Sequence, residues 1–494
     1  MLGRRAAPLM VETVLYYVAA LAGGAFQLIS ACHALLNKRD PRAQLGWVVL
    51  CITLPMAGAV AYWFFGVNRI RTRAQKWKRR GRFRDLSAVR RGEEEEAGPL
   101  SLAELHPAQL DSLHQLLRLS QRVTHRPLIS GNRVEPLFCG EQAYPAMIEA
   151  IDAATTHVHL SSYIFEADKA GMGFVDALGR AAARGVDVRV LVDAIGEKYG
   201  RPRVGRVLRR QHPDVKVAMF LPLALSLKSV RANLRNHRKI LVVDGRVGFT
   251  GGMNIGLHHV VSDPDNTTPT ADVHFRVRGP IVHALNETFI EDWYFQTGQE
   301  DWRMVDTVEP AGRALCRAIK DGPNEDFERL QWILIGAMTS ARQSIRIMTP
   351  YFIPTRELLA AITSAVLHGV KVEIVLPVAS NLPFVDWACR ALLWEVLAYG
   401  AHVFWQPPPF NHAKLLIVDD FYVNLGSANL DPRSLRLNFE LNLEVFEPEL
   451  AEVLATYFDE IRDRSTRASM ESLDKRSFGI RMRDATAKMF SPYL

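Results

Sequence analysis

Two apolar runs open the chain, and strongly patterned segments follow them. Val14 to Leu36 and Leu45 to Val67 contain no Asp, Glu, Lys or Arg, and about twenty such residues suffice to cross a hydrocarbon core of about 30 Å. Between them lies the short polar turn Asn37-Lys38-Arg39-Asp40-Pro41-Arg42. A cleaved signal peptide has one shorter apolar core, so the pattern predicts a retained transmembrane hairpin over residues 1–70. Pro55, Gly58, Tyr62 and Trp63 suit a membrane helix with an aromatic end.

Farther along, helical and strand periods alternate, and they do so twice. In the first pass Ala146 to Ala154 reads as helix, Val158 to Ile164 as strand, Gly173 to Arg184 as helix and Val186 to Val192 as buried strand, ending at Asp193. In the second, Ile333 to Ala341, Ser344 to Tyr351, Glu357 to His368 and Val370 to Leu376 repeat that order. Tyr163 matches Tyr351 and Gly185 matches Gly369. Lys239 to Val243 and Lys414 to Val418 are further short apolar runs, suited to central strands. The fold class expected is α/β, with two pseudo-symmetric lobes of mixed sheet flanked by helices. Residues 125–310 and 311–494 are assigned to the lobes, and 71–124 to a juxtamembrane linker. The lobes are expected to pack face to face about a pseudo-twofold axis, so that one site draws on both.

Length agrees with this division, because 494 residues exceed what one hydrophobic core organises. Five scattered cysteines without a CxxC pair indicate neither a disulfide framework nor a structural metal. A net charge of +7 suits nucleic acid, anionic membrane or acidic substrate equally. The placement of charge says more. Arg69 to Arg91 carries eleven Lys/Arg against the single acid Asp85, which puts both chain ends in the cytoplasm, although three basic residues in the short turn oppose this. That run is read as a topology signal or as an attraction to anionic head groups of ~1 kcal/mol per residue. Glu93 to Glu96 and Gly98-Pro99 mark the linker and carry no chemistry. Leu221 to Leu234 and Leu382 to Trp394 are candidates for contact with the bilayer surface. A buried helix or loop is the alternative for both, equal in weight for the first and the plainer reading of the second.

The chemistry lies in a duplicated motif. Asn236-His237-Arg238-Lys239 precedes Asp244 and Gly251-Gly252-Met253-Asn254, while Asn411-His412-Ala413-Lys414 precedes Asp419 and Gly426-Ser427-Ala428-Asn429. In both copies Lys, Asp, Gly and Asn stand at +2, +7, +14 and +17 from the His. One His-x-Lys alone would be read as the polar edge of a surface strand; the matched pair displaces that reading. Residues two apart on a strand share a face, so each His and Lys converge on one ligand. Imidazole can attack or protonate near neutral pH, and ammonium and amide groups hold non-bridging phosphate oxygens. One histidine is expected to attack phosphorus and the other to protonate the departing alkoxide, typically worth about 10²–10⁴-fold. His258-His259 with Asp263 and Asp265 offers a weaker metal reading, and the scheme requires no metal.

These residues resemble the phospholipase D superfamily, whose signature is HxKxxxxD followed by GSxN or GGxN. Nearly end to end, the chain is similar to the bacterial cardiolipin synthase family. Leu54-Pro55, Phe65-Gly66-Val67-Asn68-Arg69, Asn233-Leu234-Arg235-Asn236-His237-Arg238-Lys239 and Ser491-Pro492-Tyr493-Leu494 narrow the likeness. The resemblance implies condensation of two phosphatidylglycerol molecules into cardiolipin and glycerol through a phosphatidyl-histidine, without a cofactor. It implies as partners phosphatidylglycerol, other anionic phospholipids and the bacterial inner membrane, and no nucleic acid; the sequence neither requires nor excludes a homo-oligomer. Carried over, His237 and His412 are nucleophile and general acid, and Lys239, Lys414, Asn254 and Asn429 are phosphate ligands. Ser427 is a further polar contact, with Gly252 in the matching place. The family's downstream carboxylate, which bonds an active-site His, falls on Glu440 and, by looser spacing, on Asp272. Asp244 and Asp419 complete the signature, but at the far end of a strand they orient the fold as readily as they touch substrate. Symmetric motifs leave open which histidine attacks; the resemblance points to His237. The rival reading is a phospholipase D that delivers the phosphatidyl group to water. A phosphatidylserine synthase or nuclease explains the hairpin less directly, and a catalytically silent lipid-binding scaffold would not need both motifs.

Overall fold

A computed structural model describes residues 6–38, 41–54, 56–66, 107–222, 234–299, 308–323 and 328–491. The runs Arg69–Arg91 and Glu93–Glu96, Gly98-Pro99, residues 223–233 of the first lipid-contact stretch and the last three residues lie outside these. Two compact units are present, Met1–Lys76 and Trp77–Leu494.

In the first unit a helix runs from Ala6 to Asn37, and its portion Leu15–Asn37 is long and apolar enough to cross a membrane. The second arm departs from expectation. Instead of one helix from Leu45 to Val67 there is a helix Pro41–Thr53, a break, a short helix Ala57–Ala61 and a π-helical turn Tyr62–Gly66. The break flanks Pro55, which lacks an N–H and disfavours helical geometry in the residue before it. Across it, Cys51 and Tyr62 pack with Ala31 and Ala34. Tyr62 Oη lies 2.7 Å from His33 Nδ1, and Trp63 Nε1 donates to Ser30 Oγ at 2.9 Å.

Among the described residues, the second unit is built on seventeen strands. The first half supplies β1 (Ile129–Phe138), β2 (His157–Ser162), β3 (Asp187–Asp193), β4 (Lys216–Phe220), β5 (Ile240–Val243), β6 (Val247–Gly251), β7 (Thr270–Ala271) and β8 (Val273–Arg278). The second half supplies β9 (Ala314–Asp321), β10 (Ser344–Met348), β11 (Lys371–Pro377), β12 (His402–Gln406), β13 (Phe410–Asn411), β14 (Leu415–Val418), β15 (Tyr422–Gly426), β16 (Glu440–Phe446) and β17 (Thr466–Arg467). Spatial order is β1-β8-β6-β5-β2-β3-β4 in one half and β9-β16-β15-β14-β10-β11-β12-β17 in the other. The duplication therefore extends to topology. The expected strands and helices all occur, with boundaries shifted. The largest shift is in the helix Cys139–Asp152, which reads through Pro145 because Ala143, Tyr144 and Met147 bury one face.

Two expectations need correction. The lobes do not stack their sheets face to face: β1 and β9 pair antiparallel, Ile129 with Cys316 and Asn132 with Ala314, making one fifteen-stranded sheet. Edge pairing consumes the exposed backbone groups that would otherwise invite foreign strands. Nor is 71–124 wholly linker. A helix spans Pro107–Thr124; its Leu116 joins the second lobe's core, and its Ser120 donates to the buried Glu444 at 3.0 Å. Apolar side chains on one face of that helix find their partner some two hundred residues away, which local reading could not supply.

Candidate active site

Each histidine sits just ahead of a central strand, His237 before β5 and His412 before β14. The backbone there is held by the opposite lobe. His237 N–H donates to Phe439 O at 2.9 Å, while Phe439 N–H donates to Arg235 O at 2.8 Å. In the mirror position β13 pairs with β7, Asn411 opposite Ala271, and His412 N–H donates to Ala271 O at 2.7 Å. Phe439 and Ala271 immediately precede Glu440 and Asp272. Each imidazole is thereby delivered to the other lobe's carboxylate: His237 Nδ1 lies 3.0 Å from Glu440 Oε2, and His412 Nδ1 lies 2.9 Å from Asp272 Oδ2.

These contacts fix the tautomer. His237 Nδ1 also lies 3.1 Å from Ser427 O; carboxylate and carbonyl both accept, so Nδ1 carries the proton and Nε2 presents a lone pair. Burial drives the His237 pKa down to about 4, opposed by Glu440 and assisted by Lys239. His412 is held well below the usual range by burial, then by the charges of Lys414, Lys239 and His237. Both motifs thus share one electrostatic field.

The lysines belong to the same cluster. Lys239 Nζ donates to His237 O at 2.7 Å, and Lys414 Nζ donates to His412 O. Burial lowers Lys239 to about 7, against Glu440 and with Lys414. Burial likewise lowers Lys414 to about 8, against Asp272 and Glu440. An anion placed between two buried ammonium groups favours the charged form of both, and a phosphate diester meets that need.

Gly251 and Gly426 carry φ of +149° and +152°. A Cβ at Gly426 would stand 2.4 Å from Leu441 O, and one at Gly251 would stand 2.9 Å from Val273 O. Only glycine turns the chain there, bringing round the following asparagines. Asn254 Oδ1 accepts from Ile164 N–H at 3.2 Å, and Asn429 Nδ2 donates to Ser434 Oγ at 3.3 Å. Ser427 Oγ donates to Glu440 Oε2 at 2.5 Å, whereas Gly252 backs onto Asp272.

Asp244 and Asp419 stand apart from this cluster, five residues beyond each lysine, or roughly 16 Å of extended chain. Asp244 accepts from the backbone and hydroxyl groups of Thr155 and Thr156 and from His157 N–H. Asp419 accepts from Arg342, Gln343 and Ser344 N–H. Each ties down the turn that enters β2 or β10. The residues of the metal reading are otherwise engaged: His258 Nδ1 faces Glu166 at 3.1 Å, His259 Nε2 accepts from Asn254 N–H, and Lys169 pairs with Asp263 and Asp265.

Sequence reasoning missed several neighbours. The Tyr163 ring lies 5.1 Å from that of His237, and the Tyr351 ring 6.3 Å from that of His412. Their match in the repeat was the available signal. Arg238, between His and Lys, turns away from them. It donates to Asp292 Oδ1 at 2.7 Å and to Glu440 O at 3.0 Å, linking the lobes beneath the site. Nothing local in the sequence pairs Arg238 with Asp292.

The family model described as "Cardiolipin synthase, PLD-like domain" matches residues 147–293 and 334–462, and one described as "Phospholipase_D-nuclease N-terminal" matches 25–66. The chain is 30% identical over 462 residues to the major cardiolipin synthase of Bacillus subtilis (strain 168), covering 93% of this chain and 95% of the relative. It is 31% identical over 478 residues to cardiolipin synthase A of Pseudomonas entomophila (strain L48), covering 94% and 96%. Phosphatidylserine synthase of Haemophilus influenzae Rd KW20 has a similar fold, with a TM-score of 0.58 and 16% identity over 76% of this chain and 99% of that one.

Proposed function

Because the chain belongs to the phospholipase D-like cardiolipin synthase family, a group of phosphatidyltransferases, we propose that it joins two phosphatidylglycerol molecules through a phosphatidyl-histidine. His237 Nε2 attacks the phosphorus of the first lipid. The P–O bond to the glycerol head group breaks, and His412 supplies the proton that the departing alkoxide takes, releasing glycerol. His412 then removes the proton from the primary hydroxyl of a second phosphatidylglycerol. That oxygen attacks phosphorus, the P–N bond breaks, and cardiolipin leaves with His237 neutral again. Lys239, Lys414, Asn254 and Asn429 hold the non-bridging oxygens, and Glu440 and Asp272 keep each Nδ1 protonated so that each Nε2 faces phosphorus. Bound phosphate offsets the positive field on His412 and lets it carry its proton.

The observation that carries this reading is the crossed pairing of His237 with Glu440 and of His412 with Asp272, which supports one reaction centre drawn from both lobes. Incubation with phosphatidylglycerol tests it. Cardiolipin together with free glycerol is expected; phosphatidic acid as the sole lipid product would instead establish a hydrolase.

The apolar helix near the N-terminus supports membrane association, consistent with the family match over residues 25–66. We read the broken second arm as the return limb of a two-span hairpin, with the catalytic lobes on the cytoplasmic side of a bacterial inner membrane, as the basic run after Arg69 favours. Labelling of single cysteines placed in the Asn37–Arg42 turn, by a reagent that cannot cross the membrane, would establish the orientation.

A further inference from the structure

The last helix of the chain, Phe478–Met489, is amphipathic the wrong way round for a soluble surface. Phe478, Met482, Ala485 and Met489 recur at i, i+4, i+7 and i+11 and form one apolar stripe, and that stripe faces outward: Phe478 is 78% exposed, Met482 51% and Met489 77%. The face turned inward carries a carboxylate. Asp484 is buried and receives Arg476 Nη1 at 2.6 Å and Arg483 Nη2 at 2.7 Å. The helix is seated firmly in this orientation, because Ala487 packs into a cluster with Ile353, Ala388 and Leu392. Arg483 lies over the Trp387 ring at 4.5 Å, and Lys488 pairs with Glu395 at 2.8 Å.

The exposed apolar surface continues toward the site. Phe490 is half exposed and contacts Phe384, with ring centroids 5.7 Å apart. Phe384 is the second residue of the helix Pro383–Arg390, which starts just after Asn381, whose Oδ1 accepts from the Tyr351 hydroxyl at 2.7 Å. Tyr351 is the residue whose ring adjoins His412. From Arg476 to Phe490 stand four Lys/Arg and the single acid Asp484; Arg476 and Arg483 pair with that buried carboxylate and Lys488 with Glu395, while Arg481 is exposed on the same helix. Exposed Met and Phe beside the exposed Arg481 match a partner that is apolar within and anionic at its surface.

We propose that this stripe, with Phe384 and Phe490, docks the second lobe onto an anionic phospholipid bilayer, so that lipid reaches the His412 side of the site without leaving the membrane. The inference rests on the phosphatidyl-transfer reading for its choice of substrate. In the test, the full chain carrying Met482→Ser and Met489→Ser is compared with the unmodified chain on two presentations of phosphatidylglycerol: in vesicles with phosphatidylcholine, and as a short-chain form below its micelle concentration. Turnover on vesicles is expected to fall about tenfold, as loss of two inserted side chains implies, while turnover of the dispersed lipid stays unchanged. Arg481→Gln should reduce the vesicle rate alone, and less so at high salt. Equal losses on both presentations, no loss on vesicles, or a change of oligomeric mass with unaltered vesicle turnover would each overturn the docking surface. No cardiolipin from the unmodified chain on either presentation would instead sink the transfer reading itself.

Discussion

Asp272 occupies the space that a side chain on Gly252 would need: a Cβ there would stand 2.6 Å from Asp272 Oδ1. The other lobe solves the same problem differently, with Ser427 donating its hydroxyl to the longer Glu440. Gly–Asp and Ser–Glu are therefore alternative fillings of one pseudo-symmetric position behind each imidazole. Gly252→Ser should displace Asp272 from His412 and lower kcat by about tenfold or more, and adding Asp272→Glu should recover part of the loss. A coupling of roughly 0.5–3 kcal/mol in the double-mutant cycle is expected; strictly additive effects on kcat would show that the two positions act separately.

Division of labour between the histidines can be read with a substrate whose leaving group needs no proton. With a p-nitrophenyl phosphatidyl ester, the His412→Ala variant should release nitrophenol in a burst and retain the phosphatidyl group on His237. Peptide mass mapping checks this. Recovery of the adduct on His412 in a His237→Ala variant, and none on His237, would reverse the assignment.

Alkaline pH should weaken capture of substrate. Burial, first among the causes, holds Lys239 at about 7 and Lys414 at about 8, and only the ammonium forms grip phosphate. kcat/KM is therefore expected to fall as pH rises from 7 to 9, because it reports the free enzyme. The fall in kcat should lie at higher pH, since bound phosphate favours the charged lysines. A kcat/KM that is flat or rising over that interval would contradict this.

Replacement of Asp244 by Asn should cost stability more than chemistry. Burial raises its carboxyl pKa, but the amides of Thr156, His157 and Thr155 and the Thr155 hydroxyl more than offset this and hold it at about 2 against 3.8. The resulting stabilisation is present above pH 3.8 and is lost as pH falls toward 2. Asp244→Asn is expected to lower the unfolding free energy by roughly 1–2 kcal/mol at neutral pH, with turnover largely kept where the variant is still folded. Loss of turnover in fully folded Asp244→Asn would place this carboxylate in the chemistry after all.

Most of the elements were legible because each is specified by a local period. β2 and β10, or the helices after them, show the same alternation in both halves, and duplication made each reading check the other. The motif residues were legible for a related reason: two apart on a strand means one face, so Lys239 had to follow His237. Where reading failed, the cause was distance in sequence. The helix Pro107–Thr124 looked like linker because the core that receives Leu116 is, Leu128 apart, built from residues beyond 310. Arg238 looked like a spacer because Asp292 and the Glu440 carbonyl are fifty-four and two hundred and two residues away.

By itself the sequence determined that two copies of a His-Lys-Asn constellation exist, which atoms they bring, and that an apolar helix precedes them. Periodicity and side-chain chemistry are local and survive without coordinates. Only the tertiary structure decided that the lobes meet through one shared sheet edge, and that each imidazole is tuned by a carboxylate of the opposite lobe rather than its own. Pairing of backbone edges and burial of charge depend on which distant segments come together. No residue spacing encodes that; it is set by the free energy of the whole packed arrangement.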